Sequence, residues 1–229
     1  MKKPTQLVAF GDSFVYGDEL VDPKFLDQRK IPTWQSLNTP YREAHSFPGL
    51  IANHFNLKHQ NKGIPGGSLV STRWEFIKWL QNDPNVDSTI VLIGLTDEAR
   101  TSWWNRHHQT LNRPFVHTTW ASWVEDHPPW NMMVRYHWDL SDCDEFREMQ
   151  LLESTTLFDS VAQAQDIQLL MFPVFANKTI ELDSYWDFCL NQEVPRDGKH
   201  RFGRRHPNEA GHRFLADKFI SYIQKNLYL

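Results

Sequence analysis

The chain has 229 residues, of which 40 % are apolar and 23 % charged, and a formal net charge of −4 from 24 basic and 28 acidic side chains. This is ordinary globular composition at the size of one α/β unit, and it excludes a wholly disordered chain or a coiled coil. The negative balance argues against a general nucleic-acid binder or a protein that coats anionic membranes, so no partner of either kind is expected.

Residues 7–10 form a continuous apolar run ended by Gly11, which predicts a buried strand followed by a tight turn. Phe47, Leu50, Ile51 and Phe55 recur at helical spacing over 45–56. Residues 57–63 are predicted as a short second strand before a glycine-rich turn at 63–67. Ser68 is placed to cap a helix running to about Leu80, with Trp74, Ile77 and Leu80 on one side. Residues 89–93 are the clearest strand, β-branched and stopped by Gly94. A helix is predicted over 145–165 with Leu157, Val161 and Ala164 on one face, then a buried strand over 167–172 closed by Pro173. Pro207 suits the first turn of a last helix to about residue 226, with Leu215, Phe219, Ile223 and Leu227 at steps of four.

Strands alternating with helices imply right-handed crossovers and a mostly parallel sheet covered on both faces. The expectation is a single domain over 1–229, with 101–140 inserted after the third strand. That stretch shows no clean period and holds Trp103, Trp104, Trp120, Trp123, Trp130 and Trp138 with His107, His108, His117, His127 and His137. It reads either as a satellite core at the sheet edge or as a lid whose rings line a cleft. Its histidines lack the i, i+4 spacing with a glutamate that a zinc helix shows. The two cysteines, Cys143 and Cys189, make no CxxC or CxxH motif. No metal and no cofactor are therefore expected. The start of the chain lacks a secretory signal, and no run of about 20 apolar residues is present. The expected location is cytoplasmic or virion-associated, and nothing in the sequence sets an oligomeric state.

Ligands of open parallel sheets bind beyond the carboxyl ends of the strands. The residues there are Gly11-Asp12-Ser13 after the first strand, Asn61, Gly63 and Gly66 after the second, and Gly94-Leu95-Thr96-Asp97 after the third. His206 precedes the last helix. GDS at 11–13, NKGIPGGS at 61–68, GLTD at 94–97 and HPNEAGH at 206–212, in this order, resemble the four blocks of the SGNH/GDSL hydrolases. The resemblance spans residues 8 to about 220. With the alternation of elements it implies a three-layer α/β/α sandwich with a flavodoxin-like sheet. It also implies an esterase, with Ser13 as nucleophile, His206 as base, and an oxyanion hole from Ser13, Gly66 and Thr96.

Two positions depart from the family pattern. Thr96 stands where the family has an asparagine, and its hydroxyl offers one shorter donor. The acid expected three residues before the histidine is Gly203. A backbone carbonyl, a carboxylate elsewhere such as Asp197, or no acid at all would then orient His206.

The chemistry is coherent, because a serine hydroxyl needs a base and imidazole titrates near neutral pH. Asp12 is read as a turn stabiliser and His212 as a packing or hydrogen-bonding histidine. The basic loop 196–205 reads as a solvated face, or as a grip for a substrate carboxylate or phosphate. Arg100, Trp103, Trp104 and Arg205 are the candidate substrate contacts. The expected reaction is removal of a small acyl group, such as acetyl, from a carbohydrate or similar small ester. The alternative is an inactive binding module of the same fold that recognises a glycan or a protein. A thioesterase or lipase for long chains fits less well, because the polar 177–205 segment suggests no apolar groove.

Overall fold

The first strand, β1 (Gln6–Phe10), is buried at every position, and parallel strands flank it on both sides. The computed structural model describes residues 2–25, 36–97, 100, 102–104, 115–117, 143–175, 180–201 and 206–227. β1 pairs with β2 (Lys58–Asn61) and with β3 (Thr89–Leu95). After the short antiparallel pair β4 (Ser102–Trp104) and β5 (Phe115–His117), β6 (Gln168–Pro173) joins β3 in parallel. The order of the main sheet is β2-β1-β3-β6. This is the flavodoxin-like order, which reverses between β1 and β3 and opens a ligand crevice at their carboxyl ends. Ser13 and Thr96 follow those two ends.

The pleat sorts the apolar side chains into two layers. Leu7, Ala9, Ile90, Leu92, Leu170 and Phe172 face α3 (Phe47–His54) and the last helix, α7 (Glu209–Asn226). Val8, Phe10, Val91, Ile93, Leu169 and Met171 face α4 (Leu69–Asn82) and α5 (Asp144–Ala164). The remaining described helices are short: α1 (Ser13–Tyr16), α2 (Thr39–His45) and α6 (Leu190–Glu193). β2 is a polar edge strand with sequence KHQN. The outer edge of β6 is covered by the chain at 184–186, where Met171 N–H donates to Ser184 O at 2.7 Å and Trp186 N–H donates to Met171 O at 2.8 Å. Both arrangements limit edge-to-edge association.

The α/β sandwich and its parallel sheet are as expected, but two helix faces are not. α4 buries Leu69, Thr72, Phe76 and Trp79, while Trp74 and Ile77 are 39 % and 37 % exposed. α5 buries Leu151, Thr155, Phe158 and Ala162, while of the expected face Val161 packs half-buried against the core, Leu157 is half-buried and Ala164 is exposed. Each helix carries two apolar stripes, and the sheet selects the one with the large rings. Phe76 packs edge-on against Phe10 and Phe158, with centroids 5.6 and 5.2 Å apart. Most of 101–140 lies outside the described residues, as do His107, His108, His127 and His137. No described helix is long and apolar enough to cross a membrane.

The centre of the first layer is Phe219, fully buried and in ring contact with Phe47, Phe172, Trp186 and Phe188 at 4.7–5.7 Å. These rings are rigid neighbours and collapse poorly around a void. Phe219→Ala is expected to cost about 3–5 kcal/mol, read as a fall of about 10 °C or more in melting temperature. A loss under about 1 kcal/mol would show that this layer repacks freely.

Candidate active site

The turn after β1 is built around Gly11, whose φ of +151° is disfavoured for L side chains. A Cβ there would sit 2.6 Å from Val15 Cγ2. Asp12 then caps α1, accepting from Phe14 N–H at 3.0 Å. Its other oxygen accepts from Thr96 Oγ1 at 2.9 Å and from Arg100 Nη1 at 3.1 Å, and Arg100 also donates to Thr96 Oγ1 at 3.0 Å. Asp12 is wholly buried, and burial pushes its carboxyl up from the ordinary value. Arg100, the Phe14 N–H and the Thr96 hydroxyl act in the opposite direction. This closed cluster locks the end of β3 to the start of α1.

Ser13 is the first residue of α1 and is 8 % exposed. Its hydroxyl lies within hydrogen-bonding distance of His206 Nε2, at 2.9 Å, a contact across 193 positions of sequence whose donor is set by the tautomer of the ring. The His206 ring stands edge-on to Phe14 at 5.3 Å. The chain that follows it is pinned through Asn208. Asn208 caps α7 by accepting from Gly211 N–H at 3.0 Å and also donates to Lys199 O at 2.9 Å. Gly211 lets the 200 loop lie on the helix, since a Cβ there would be 2.2 Å from His200 O. Pro207 precedes the cap Asn208 and so lies just outside the helix rather than in its first turn. His212, one turn into α7, is wholly buried and accepts from Phe47 N–H through Nδ1 at 3.2 Å.

The glycine-rich loop is fastened to α1. Asn61 donates to Val15 O at 2.9 Å and accepts from Gly63 N–H at 2.9 Å, while Ile64 N–H donates to Gly11 O at 2.8 Å. Gly66 follows in the left-handed region at φ 72°. The loop therefore runs beside the start of the helix that carries Ser13.

Several of the expected site residues have other partners in the structure. The Thr96 hydroxyl has one proton and directs it to Asp12 in this arrangement. Arg100 is held inward by Asp12 and Thr96 and lies over the Phe175 ring at 4.8 Å. Asp197 does not orient His206. It accepts from Lys199 N–H, His200 N–H and His200 Nδ1 at 2.8–3.1 Å, and the His200 side chain holds its carboxyl below the usual range. Arg201, grouped with the basic loop, is 2 % exposed and donates to Asn191 and to Val194 O. Trp103 and Trp104 lie in β4, paired with Val116 and Phe115, and their side chains are outside the described residues, as is Arg205.

One residue absent from the sequence reading stands at the site. Glu19 Oε2 lies 3.6 Å from His206 Nδ1. Both atoms are buried, and neither has a hydrogen-bond partner among the described residues. Its only trace in the sequence is an acidic pair, Asp18-Glu19, just after the GDS block in a chain that lacks the usual acid.

No protein-family model matches the sequence, and no curated protein is significantly similar to it. Solved structures do match in fold. A family two carbohydrate esterase from Clostridium thermocellum, in complex with cellohexaose, aligns at a TM-score of 0.50 and 15 % identity, covering 99 % of this chain and 66 % of that one. A carbohydrate esterase family 2 enzyme with a carbohydrate-binding domain from Corynascus thermopiles (Myceliophthora fergusii) aligns at 0.50 and 12 %, covering 99 % and 68 %. A catalytic mutant of an acetylxylan esterase from Geobacillus stearothermophilus aligns at 0.48 and 14 %, covering 100 % and 97 %. At these identities the likeness to the two structures aligned at 0.50 is one of fold alone.

Proposed function

We propose that the protein is a serine ester hydrolase of the SGNH/GDSL kind that removes a small acyl group, such as acetyl, from a carbohydrate or similar substrate. The observation that carries this reading is the 2.9 Å contact between Ser13 Oγ and His206 Nε2. A hydroxyl at the end of a central strand and an imidazole before the last helix meet at the strand-order reversal, where this fold binds ligands. The carbohydrate part of the proposal draws on the substrates of the fold neighbours and on the aromatic residues of 101–140.

In the proposed reaction Ser13 Oγ attacks the ester carbonyl while His206 Nε2 takes its proton. The Ser13 and Gly66 N–H groups hold the tetrahedral oxyanion, each contributing about 3 kcal/mol to the transition state. Collapse expels the alcohol, which leaves with the proton from His206. Water, deprotonated by the same imidazole, then releases the acid and restores Ser13.

The test is hydrolysis of p-nitrophenyl acetate and acetate release from an acetylated xylo-oligosaccharide, with a fluorophosphonate probe as a third readout. Wild type should turn over ester and become labelled at Ser13, and Ser13→Ala should do neither. Equal turnover in both proteins, or a wild type that the probe does not label, would overturn the mechanism. Persistent glycan binding in the second case would favour the inactive binding module.

A further inference from the structure

The site lacks the usual acid before its histidine, yet a carboxylate faces the imidazole. We infer that Glu19 is the positioning residue of His206: it accepts the Nδ1 proton, fixes the tautomer whose Nε2 lone pair faces Ser13, and balances the imidazolium formed during turnover. This inference rests on the reading of Ser13 and His206 as nucleophile and base.

Three observations converge on Glu19. His206 Nδ1 and Glu19 Oε2 are both buried atoms without a partner among the described residues, and they face each other at 3.6 Å. A formed N–H···O bond is about 0.4–0.9 Å shorter, a gap that a small side-chain rotation closes. Buried polar atoms are nearly always paired, so two orphans in register point to a bond made during the catalytic cycle.

The backbone is the second observation. Glu19 has φ 70°, one of only three non-glycine residues with positive φ among those described. Such strain collects at functional sites, where neighbouring structure enforces it. Here Gly17 N–H and Asp18 N–H both donate to Ser13 O, ending α1. On the far side Asn38 donates to Leu20 O at 2.7 Å and accepts from Asp22 N–H at 2.9 Å. The turn that presents Glu19 is thus clamped to the nucleophile's own carbonyl.

The third observation is that the other titratable neighbours are engaged elsewhere. Asp12 is saturated by Phe14 N–H, Thr96 and Arg100. His212 uses Nδ1 on Phe47 N–H. Asp197 is held by His200. Asp12 and His212 both lie close enough to feel the charge of His206, and among the described residues it is the Glu19 carboxylate that stands 3.6 Å from Nδ1.

Glu19→Gln keeps the shape and removes the charge. It should lower kcat on p-nitrophenyl acetate by on the order of 10⁴, with KM within about twofold. The acid limb of kcat/KM should move to lower pH, and the NMR titration of the His206 ring should move the same way, because the carboxylate favours imidazolium. Glu19→Gly should show the same loss of kcat while melting no lower than wild type, since glycine relieves the left-handed strain. That pairing separates catalysis from folding. If Ser13→Ala is inactive but Glu19→Gln keeps wild-type kcat and an unchanged His206 titration, the role of Glu19 is overturned and the hydrolase reading stands. If Ser13→Ala retains wild-type turnover, both fall together.

Discussion

Alanine at both Ser13 and His206 is expected to slow ester turnover no more than alanine at either position alone. Each single change should cost on the order of 10⁴ or more in kcat, because in the proposed reaction nucleophile and base form one unit. Without the base the Ser13 hydroxyl keeps its proton and attacks poorly. Without the hydroxyl the imidazole has nothing to activate except water. Their 2.9 Å contact is the physical basis of this dependence. The residual rate in all three variants should reflect the backbone donors at Ser13 and Gly66, which neither substitution removes. Steady-state kcat for the two single variants and the double variant checks this. Losses that multiply would mean that the two residues act independently and that another group supplies the base.

Acid should destabilise the fold well before its carboxylates titrate, and His212 is the main cause. Burial foremost, with the neighbouring His206 second, lowers its pKa from 6.5 to about 3. The ring is held neutral, with Nδ1 accepting from Phe47 N–H and its plane stacked on the Phe47 ring. In the unfolded chain His212 binds a proton near pH 6.5, but in the folded chain only near pH 3. Its contribution to stability is therefore complete above pH 6.5 and is lost as the pH falls towards 3. The slope is about 1.4 kcal/mol per pH unit, so about 2 kcal/mol should be lost between pH 6.5 and 5. His59 adds to the same trend, since burial and then Arg42 lower it to about 4. Denaturant unfolding of wild type and His212→Asn at pH 7.5 and 5.0 tests this. Asparagine can still accept from Phe47 N–H but does not titrate, so the variant should lose about 2 kcal/mol less on acidification. An identical pH dependence in the two proteins would remove His212 as the cause.

The strands were legible because a parallel strand buried on both faces must be continuously apolar, as residues 7–10 and 89–93 are. The turn residues were legible for a similar reason. Gly11 ends the first strand at a position where a Cβ would collide with Val15. The exposed faces of α4 and α5 were misread because each helix offers two apolar stripes, and periodicity does not say which of them meets Phe10. Arg201 looked like a surface charge, yet the Asn191 and Val194 carbonyls and the Asn191 side chain bind it in the interior.

The amino-acid order alone therefore determined the alternation of strands and helices, the strand-end position of Ser13 and the helix-start position of His206, since these follow from local pattern and backbone sterics. Only the tertiary structure decided that those two groups meet, that Asp12 takes the proton of Thr96, and that Glu19 rather than Asp197 faces the imidazole. Those outcomes join side chains tens to nearly two hundred residues apart, and their geometry comes from how the sheet and helices pack.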